Sequence, residues 1–372
     1  MKYLIVITIN LFLLLGCTQT TKNIEYKYTK QNIVKKKDYK DKKLILDNKN
    51  IEDSVFTDIH KDKIQKSNNI AVVFSSLELG KYALEATITV NTYLLYKNQD
   101  FNVITYDIDK YKNNKLENIF KDINQNGTTK VMLMITKDRL PKLLSLNNLS
   151  EFKIYIPLIN SYDANIFLEE KYSNIIFGAI SYKKQFEKLL RYSQNNSFSE
   201  FYDNSNIGSV LHSYLTNNQI NYSRRINDRN GEYKRFLKDK ALIGSSILLN
   251  TPIVKSSIIL SQINAHEINP KEILSSQLNY SPFLFTLTQK PDRRKVIVAN
   301  SINKLPDNLV EYNNLLNNNI IYNWVNYSTI LGTEYLLNNN LNNFEGVEIK
   351  NNQVEYLVEL YRVRDSSFKK ID

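Results

Sequence analysis

The 372-residue chain is poor in the residue types that build most catalytic centres, with one cysteine, three histidines and nine glycines. The histidines, His60, His212 and His266, lie on different segments, and none belongs to a His-x-x-x-His or His-Glu-x-x-His pattern typical of metal sites. We find neither a Gly-x-Ser-x-Gly elbow nor a phosphate-binding loop. The sequence therefore predicts no catalytic residue, no metal ligand and no cofactor, and we do not expect an enzyme.

Long apolar runs are also absent, apart from one at the N-terminus. An apolar run of about 13 residues, Tyr3 to Leu15, follows the single cation Lys2, which is the layout of a secretory signal peptide. The run is shorter than the ~20 residues that a membrane-spanning helix needs. We therefore expect a signal peptide over residues 1–16.

The only cysteine comes directly after this run. Leu14-Leu15-Gly16-Cys17 resembles the lipobox of bacterial lipoproteins. The resemblance implies cleavage before Cys17 and lipidation of that residue with fatty acids such as palmitate. Two or three acyl chains, at ~0.8 kcal/mol per buried CH₂, form a stable membrane anchor. The alternative is an ordinary signal peptide, or a short membrane helix, with a chance cysteine.

The net charge of +11 is concentrated near the N-terminus. Residues 18–69 carry 13 lysines against 8 acidic residues and show little apolar periodicity. Such a composition buries too little apolar surface to offset chain entropy, so residues 17–69 are predicted to form a lipidated, basic, flexible tether. The rest of the chain is only weakly basic, and export separates it from nucleic acid, so no nucleic-acid partner is expected.

From Ile70 onward, short apolar strands alternate with amphipathic helices in two successive series. Near-continuous apolar strands that alternate with helices are typical of parallel sheets covered on both faces. The fold class is therefore predicted to be α/β, with two lobes, each a mostly parallel sheet flanked by helices, and a C-terminal β-hairpin with a turn at Asn351-Asn352. The expected boundaries are 70–182 and 298–342 for lobe 1, and 183–297 and 343–372 for lobe 2.

The order of motifs resembles the type I periplasmic-binding-protein superfamily, the leucine-binding-like fold, over roughly residues 70–365. Four segments carry the resemblance: the opening strand, turn and helix at Ile70 to Gly80, the segment Ile263 to Leu274, the late helix Trp324 to Gly332, and the turn Phe344-Glu345-Gly346. The resemblance implies a type I periplasmic-binding-protein fold with a cleft between its lobes.

In open α/β sheets, ligands bind outside the carboxyl ends of the strands. The candidate cleft-lining residues at those ends are Ser75, Ser76, Thr136, Lys137, Asn160, Ser161, Asn250, Thr251, Gln277 and Asn279. The alternative interpretation is that these polar residues only end strands and begin turns. Amino-acid receptors of the superfamily usually present small hydroxyl residues after the third strand, whereas here Thr136 is followed by Lys137-Asp138-Arg139. This departure disfavours an amino-acid ligand.

The combination of lipid anchor, spacer and this domain is similar to the outer-membrane lipoprotein activators of penicillin-binding proteins. That resemblance implies a non-enzymatic cell-envelope protein that regulates peptidoglycan synthesis by contacting a synthase. Thr18 follows the cysteine where an aspartate would signal inner-membrane retention, so the expected location is the periplasmic face of the outer membrane. The alternative is a lipid-anchored solute-binding receptor of an ABC importer, with a small molecule in the cleft.

Overall fold

The structure, a computed structural model, describes residues 68–98, 100–111, 115–194, 197–215, 220–227 and 233–371. The predicted signal peptide, Cys17, His60 and nearly all of the predicted tether lie outside these residues. The first strand begins at Asn68, so residues 68 and 69 belong to a sheet and not to the tether as predicted. In the part of the chain described, no helix combines the length and apolarity needed to cross a membrane.

The strands of the described residues, in chain order, are β1 (Asn68–Phe74), β2 (Phe101–Asp107), β3 (Lys130–Met134), β4 (Lys153–Ile156), β5 (Ile175–Phe177), β6 (Phe198–Asp203), β7 (Ile220–Ile226), β8 (Ser246–Asn250), β9 (Glu272–Ser275), β10 (Val296–Asn300), β11 (Val347–Lys350), β12 (Gln353–Tyr356), β13 (Glu359–Val363) and β14 (Phe368–Lys370).

The α-helices are α1 (Ser76–Leu79), α2 (Lys81–Tyr96), α3 (Leu116–Gln125), α4 (Leu140–Leu144), α5 (Tyr182–Ser193), α6 (Asn206–Ser213), α7 (Tyr233–Phe236), α8 (Ile253–Ala265), α9 (Phe283–Leu287), α10 (Lys290–Arg293), α11 (Asp307–Leu315) and α12 (Trp324–Asn338). Short 3₁₀ turns follow β3 at Lys137–Arg139 and β9 at Gln277–Asn279.

The strands form two sheets, with the orders β11-β12-β5-β4-β3-β1-β2 and β14-β13-β10-β9-β8-β6-β7. Pairing is parallel except where β11 meets β12, β10 meets β13, and β13 meets β14. The predicted α/β class and the two mostly parallel sheets are therefore confirmed.

Both sheets are covered on two faces, as the continuous apolar strands predict. In β1, Ile70 and Val72 pack with α2, α11 and α12, whereas Ala71 and Val73 pack with α3 and α4 on the other face. In β8, Leu248 packs with α5 and α6, and its neighbours pack with α8 and α9. Full burial of every position in β8 and β10 explains why these strands lack polar alternation.

The predicted lobe boundaries are wrong at two places. Residues 347–356, assigned to lobe 2, form β11 and β12 of the first sheet, because β12 adds parallel to β5. Residues 298–300, assigned to lobe 1, complete β10 of the second sheet. The C-terminal region also contains two hairpins, since β13 and β14 form a second one. Alternating polarity predicts a strand with one buried face, but it does not specify which sheet the strand joins.

Within the described residues the chain passes between the sheets after β5, after β10 and after β12. Each passage leaves from the carboxyl end of a strand, and β12 runs parallel to β5. Only two residues separate β12 from β13, and the first residue of β13, Glu359, pairs with Asn300 at the carboxyl end of β10. The carboxyl edges of the two sheets therefore lie next to each other. The candidate cleft residues lie along these two edges.

Candidate functional site

The carboxyl edge of the first sheet holds an ion-pair cluster that we call the Arg139 network: Ser75, Glu78, Asp109, Thr136 and Arg139. Arg139 Nε lies 2.6 Å from Glu78 Oε1, and its Nη2 lies 3.3 Å from both Asp109 Oδ1 and Ser75 Oγ. Ser75 Oγ donates to Asp109 Oδ2 at 2.7 Å, and Thr136 Oγ1 donates to Glu78 Oε2 at 3.2 Å. The hydroxyl groups of Ser75 and Thr136, two of the predicted cleft residues, are therefore hydrogen-bonded to carboxylates of the protein itself.

The start of α1 fixes this network in place. Ser75 is the N-cap and accepts a hydrogen bond from the Glu78 backbone N–H at 3.3 Å. Asp107, at the end of β2, accepts from the Ser76 backbone N–H at 3.2 Å. Burial alone would raise the pKa of Asp107, but the hydrogen bonds from Ser76 and Lys110 outweigh it and lower that pKa. The carboxylate is thus held in its charged form beside the network.

Three other predicted residues of the first lobe also bond within the protein. Lys137 is exposed, and its Nζ donates to the Ala164 carbonyl at 2.8 Å. Asn160 Nδ2 donates to the Ala179 carbonyl at 2.9 Å. The backbone N–H and the hydroxyl of Ser161 both donate to Gln353 Oε1, at 2.7 and 3.1 Å. These bonds fix the loop after β4 against β12 and the first passage between the sheets.

On the second sheet, Gln277 joins three segments that meet at the carboxyl edge. Its backbone N–H donates to Gln185 Oε1 at 2.8 Å, and its Nε2 donates to Asn300 Oδ1 at 2.8 Å. Its Oε1 accepts from the Ser301 backbone N–H at 2.7 Å. Gln277 is 4% exposed, so its amide stabilises the passage after β10 and does not face an open cleft.

Asn279, Thr251 and Ser256 form a second buried cluster beside it. Asn279 Nδ2 lies within hydrogen-bond distance of the Thr251 carbonyl, Ser256 Oγ and Ser275 Oγ, at 3.2, 3.0 and 2.7 Å. The hydroxyls of Thr251 and Ser256 are 2.8 Å apart. The Oδ1 atom of Asn279 is buried and has no hydrogen-bond partner within the described residues.

Asn250 belongs to a third cluster, around the fully buried carboxylate of Glu200. Asn250 Nδ2 donates to Glu200 Oε1 at 2.8 Å, while Ser223 Oγ and His212 Nδ1 lie 2.9 and 2.7 Å from Oε2. The His212 ring also stacks on Tyr202, with centroids 4.0 Å apart. Ser223 and His212 both bind the Glu200 carboxylate. In a catalytic triad the serine hydroxyl is instead hydrogen-bonded to the imidazole.

Most of the predicted cleft residues are therefore interior. Seven are less than 9% exposed, namely Ser75, Asn160, Ser161, Asn250, Thr251, Gln277 and Asn279, and only Ser76, Thr136 and Lys137 reach the surface. A cavity of about 10 Å³ lies against Asn160, Ser301 and Glu355, which is the size limit for one water molecule. That these residues line a ligand cleft stays a prediction.

The prediction missed three residues that organise the edge, Glu78, Asp109 and Gln353, and it named Arg139 only as part of the charged turn after β3. Asp109 could have been predicted from the sequence, because it lies two residues beyond the carboxyl end of β2. Gln353 could not be found without knowing that β12 joins the first sheet. In the part of the chain that the structure describes, no three His, Cys, Asp or Glu side chains are placed to hold a metal ion.

No family model and no curated protein matches the chain. Many solved structures match the chain. A putative branched-chain amino acid ABC transporter protein from Rhodospirillum rubrum matches with a TM-score of 0.60 and 9% identity, over 82% of this chain and 100% of its own. The C-domain of LpoA from Haemophilus influenzae, a regulator of PBP1A, matches with a TM-score of 0.56 and 10% identity, over 82% and 100% of the two chains.

A third structure is LivJ from Streptococcus pneumoniae, a branched-chain amino acid substrate-binding protein in complex with isoleucine. It matches with a TM-score of 0.53 and 9% identity, over 82% of this chain and 99% of its own. At such identities the likenesses establish the fold alone. The chain has the two-lobed fold of the type I periplasmic binding proteins, shared by amino-acid receptors and by the LpoA C-domain.

Proposed function

We propose that this protein is a non-enzymatic lipoprotein of the cell envelope whose domain contacts another protein, and that the partner is a penicillin-binding protein whose peptidoglycan synthesis it regulates. The observation that carries the proposal is the Arg139 network. It occupies the strand edge where amino-acid receptors of this fold present small hydroxyl residues, and it leaves Thr136 hydrogen-bonded to a carboxylate.

Charge at this edge also disfavours an amino-acid ligand. The network contains one cation, Arg139, and two carboxylates, Glu78 and Asp109, which already bind its guanidinium. An incoming α-carboxylate would meet a net negative cluster and would have to displace one of these partners. Arg139 and Asp109 are only 20% and 9% exposed, so solvent screens that repulsion incompletely.

The fold supports the choice of partner, because the LpoA C-domain, a regulator of PBP1A, has the same architecture. We place the protein on the periplasmic face of the outer membrane through lipid on Cys17. Labelling with a fatty-acid probe checks the anchor: the wild type should incorporate the probe and Cys17→Ala should not. Equal labelling of the two would contradict lipidation at this position.

The protein contact is tested with the full chain purified in detergent and the penicillin-binding proteins of the same cell. We expect saturable binding of a bifunctional synthase at micromolar concentrations, and a change in its glycan polymerisation or cross-linking rate when the two are mixed. The heat-denatured chain serves as the control. Absence of saturable binding to every synthase of that cell would contradict the proposal.

The alternative function is solute capture for an ABC importer. It is favoured by the isoleucine complex of LivJ, which has the same fold. It is also favoured by the buried Oδ1 atoms of Asn250 and Asn279, which have no hydrogen-bond partner in the described part of the chain. The two functions differ in what stabilises the domain: an importer receptor gains stability from a small solute, whereas a scaffold does not.

A further inference from the structure

A cavity of about 370 Å³ lies on the second lobe, at the end of the sheet where β10 begins and β13 ends. Its walls come from α10, which precedes the amino end of β10, and from the chain that leaves β13. Because β13 runs antiparallel to β10, Val363 ends beside the start of β10. The cavity is lined by four cations, Lys290, Arg293, Arg294 and Arg364, and one acid, Asp365.

Arg293 is the buried member of this cavity, at 5% exposure. Its Nη1 donates to the carbonyl and the hydroxyl of Thr288, and its Nη2 donates to the backbone carbonyl of Asp365. Within the described residues its Nε is buried without a hydrogen-bond partner, and no carboxylate forms an ion pair with the guanidinium. The guanidinium carbon also lies 5.5 Å from the centroid of the Phe285 ring. A buried guanidinium that is bound only by neutral oxygens and an aromatic ring is costly unless an anion compensates its charge.

The other cations of the cavity are available to that anion. Arg294 and Arg364 are exposed, and neither guanidinium hydrogen-bonds to any residue that the structure describes. Lys290 Nζ lies 3.1 Å from Asp365 Oδ1, but these side chains are 70% and 76% exposed, so the pair is weak. The five side chains carry four positive charges and one negative charge, which leaves the cavity strongly electropositive.

We infer that this cavity binds a phosphate group. Guanidinium groups match the oxygens of phosphate in a bidentate fork. The cavity has three arginines and only one carboxylate, so the charges of these arginines are not balanced by its own side chains. A phosphate monoester has a charge near −2 and three acceptor oxygens, which suits the two exposed arginines and the positive charge of Arg293 in the cavity wall. Either a soluble phosphate monoester or the monoester headgroup of a lipid such as phosphatidic acid supplies this chemistry.

The test is calorimetric titration of the full chain in detergent with four probes: inorganic phosphate, glycerol phosphate, water-soluble short-chain phosphatidic acid and acetate. We expect saturable binding of at least one phosphate probe, stronger than that of acetate and weakened by added salt. Preference for glycerol phosphate would identify a soluble ester, and preference for the phospholipid would identify a headgroup. No saturable binding of any phosphate probe, or acetate binding equal to phosphate, would overturn the inference.

Variants locate the binding. Arg294→Gln together with Arg364→Gln should raise the dissociation constant at least about tenfold, since charge-assisted hydrogen bonds are lost. The fold should be unaffected, because both side chains are exposed and make no described hydrogen bond. Arg191→Gln together with Lys142→Gln removes the same charge from exposed sites elsewhere and should leave affinity within twofold or so. Equal losses in the two double variants would contradict a site in this cavity.

Discussion

At the scale of single residues, most charged and polar side chains at the carboxyl edges bond to one another, while the buried Oδ1 atoms of Asn250 and Asn279 have no partner within the described residues. Asp203 shows the same behaviour in the second lobe: its side chain, 2% exposed, lies 2.8 Å from Lys255 Nζ and accepts from the Ser205 backbone N–H at 3.2 Å. Burial alone would raise the pKa of Asp203, but the bonds from Lys255 and Ser205 outweigh it and lower that pKa.

Asp203→Asn should therefore lower the free energy of unfolding at pH 7 by about 2 kcal/mol, the value of charge-assisted hydrogen bonds in a buried site. Because the folded-state pKa of Asp203 is lowered, its carboxylate stabilises the protein at pH values above the unfolded-state pKa of 3.8. This stabilisation is lost as the pH falls through the folded-state pKa. The difference between wild type and variant should thus shrink below pH ~4. Urea unfolding at several pH values measures it.

The control for this prediction is Asp138→Asn, which changes an exposed carboxyl group in the first lobe. It should shift the free energy of unfolding by less than about 0.5 kcal/mol at any of these pH values. If the difference in the free energy of unfolding between wild type and Asp203→Asn stayed constant or grew in acid, the bonds of the Asp203 carboxylate would not be the source of that difference.

The partners of these residues could not be predicted from the sequence. The side chains at strand ends are identifiable, because strands are, but Glu78 and Arg139 are 61 residues apart and Ser75 and Asp109 are 34 apart. Whether a polar side chain at a strand end faces solvent or a distant partner depends on the tertiary structure. Thr136 was identified, but its bond to Glu78 was not.

At the scale of elements, the sequence predicts the central strands well and the peripheral ones poorly. Strands such as β3 and β10 are continuous apolar runs, which only a doubly covered sheet accommodates. β11 and β12 were predicted as a hairpin, and this pairing with its turn at Asn351-Asn352 is confirmed. The sheet that β11 and β12 join was not predicted correctly. That choice depends on one parallel pairing, Gln353 with Phe177, and on the buried Gln353 side chain.

The hairpin turn offers a test of how β12 is held on the first sheet. Asn351 and Asn352 both have positive φ, 47° and 62°, as a type I′ turn requires. Asn352 Nδ2 also donates to the carbonyls of Tyr172 and Ile175, at 3.0 and 2.7 Å. Asn352→Ala should cost about 2–3 kcal/mol, from two hydrogen bonds and a left-handed alanine.

Asn351→Gly is the matched change, because glycine accepts positive φ and the Asn351 side chain is exposed. It should leave the free energy of unfolding within about 0.5 kcal/mol of wild type. Chemical denaturation of both variants measures the difference. Equal stability of the two would mean that the Asn352 amide does not hold the hairpin.

At the scale of the whole molecule, the two lobes are tied by side chains near the passages between the sheets. Asp163 of the first lobe accepts from Ser181 Oγ at 2.6 Å and from Tyr214 OH of the second lobe at 3.4 Å. Lys184 pairs with Glu355 across the same region. These bonds join the two lobes beside the passages between the sheets.

The most direct test of this account is a thermal unfolding assay of the full chain with each of the twenty amino acids. A solute at a hundredfold excess over its dissociation constant stabilises a receptor by ~2.7 kcal/mol, which is several degrees in Tm for a domain of this size. We predict no shift beyond about 1 °C with any amino acid, because Arg139 already holds Glu78 and Asp109 at the strand edge. A reproducible shift of several degrees, lost in Thr136→Ala or Asn250→Ala but kept in the surface control Lys142→Ala, would contradict the account and identify a solute receptor.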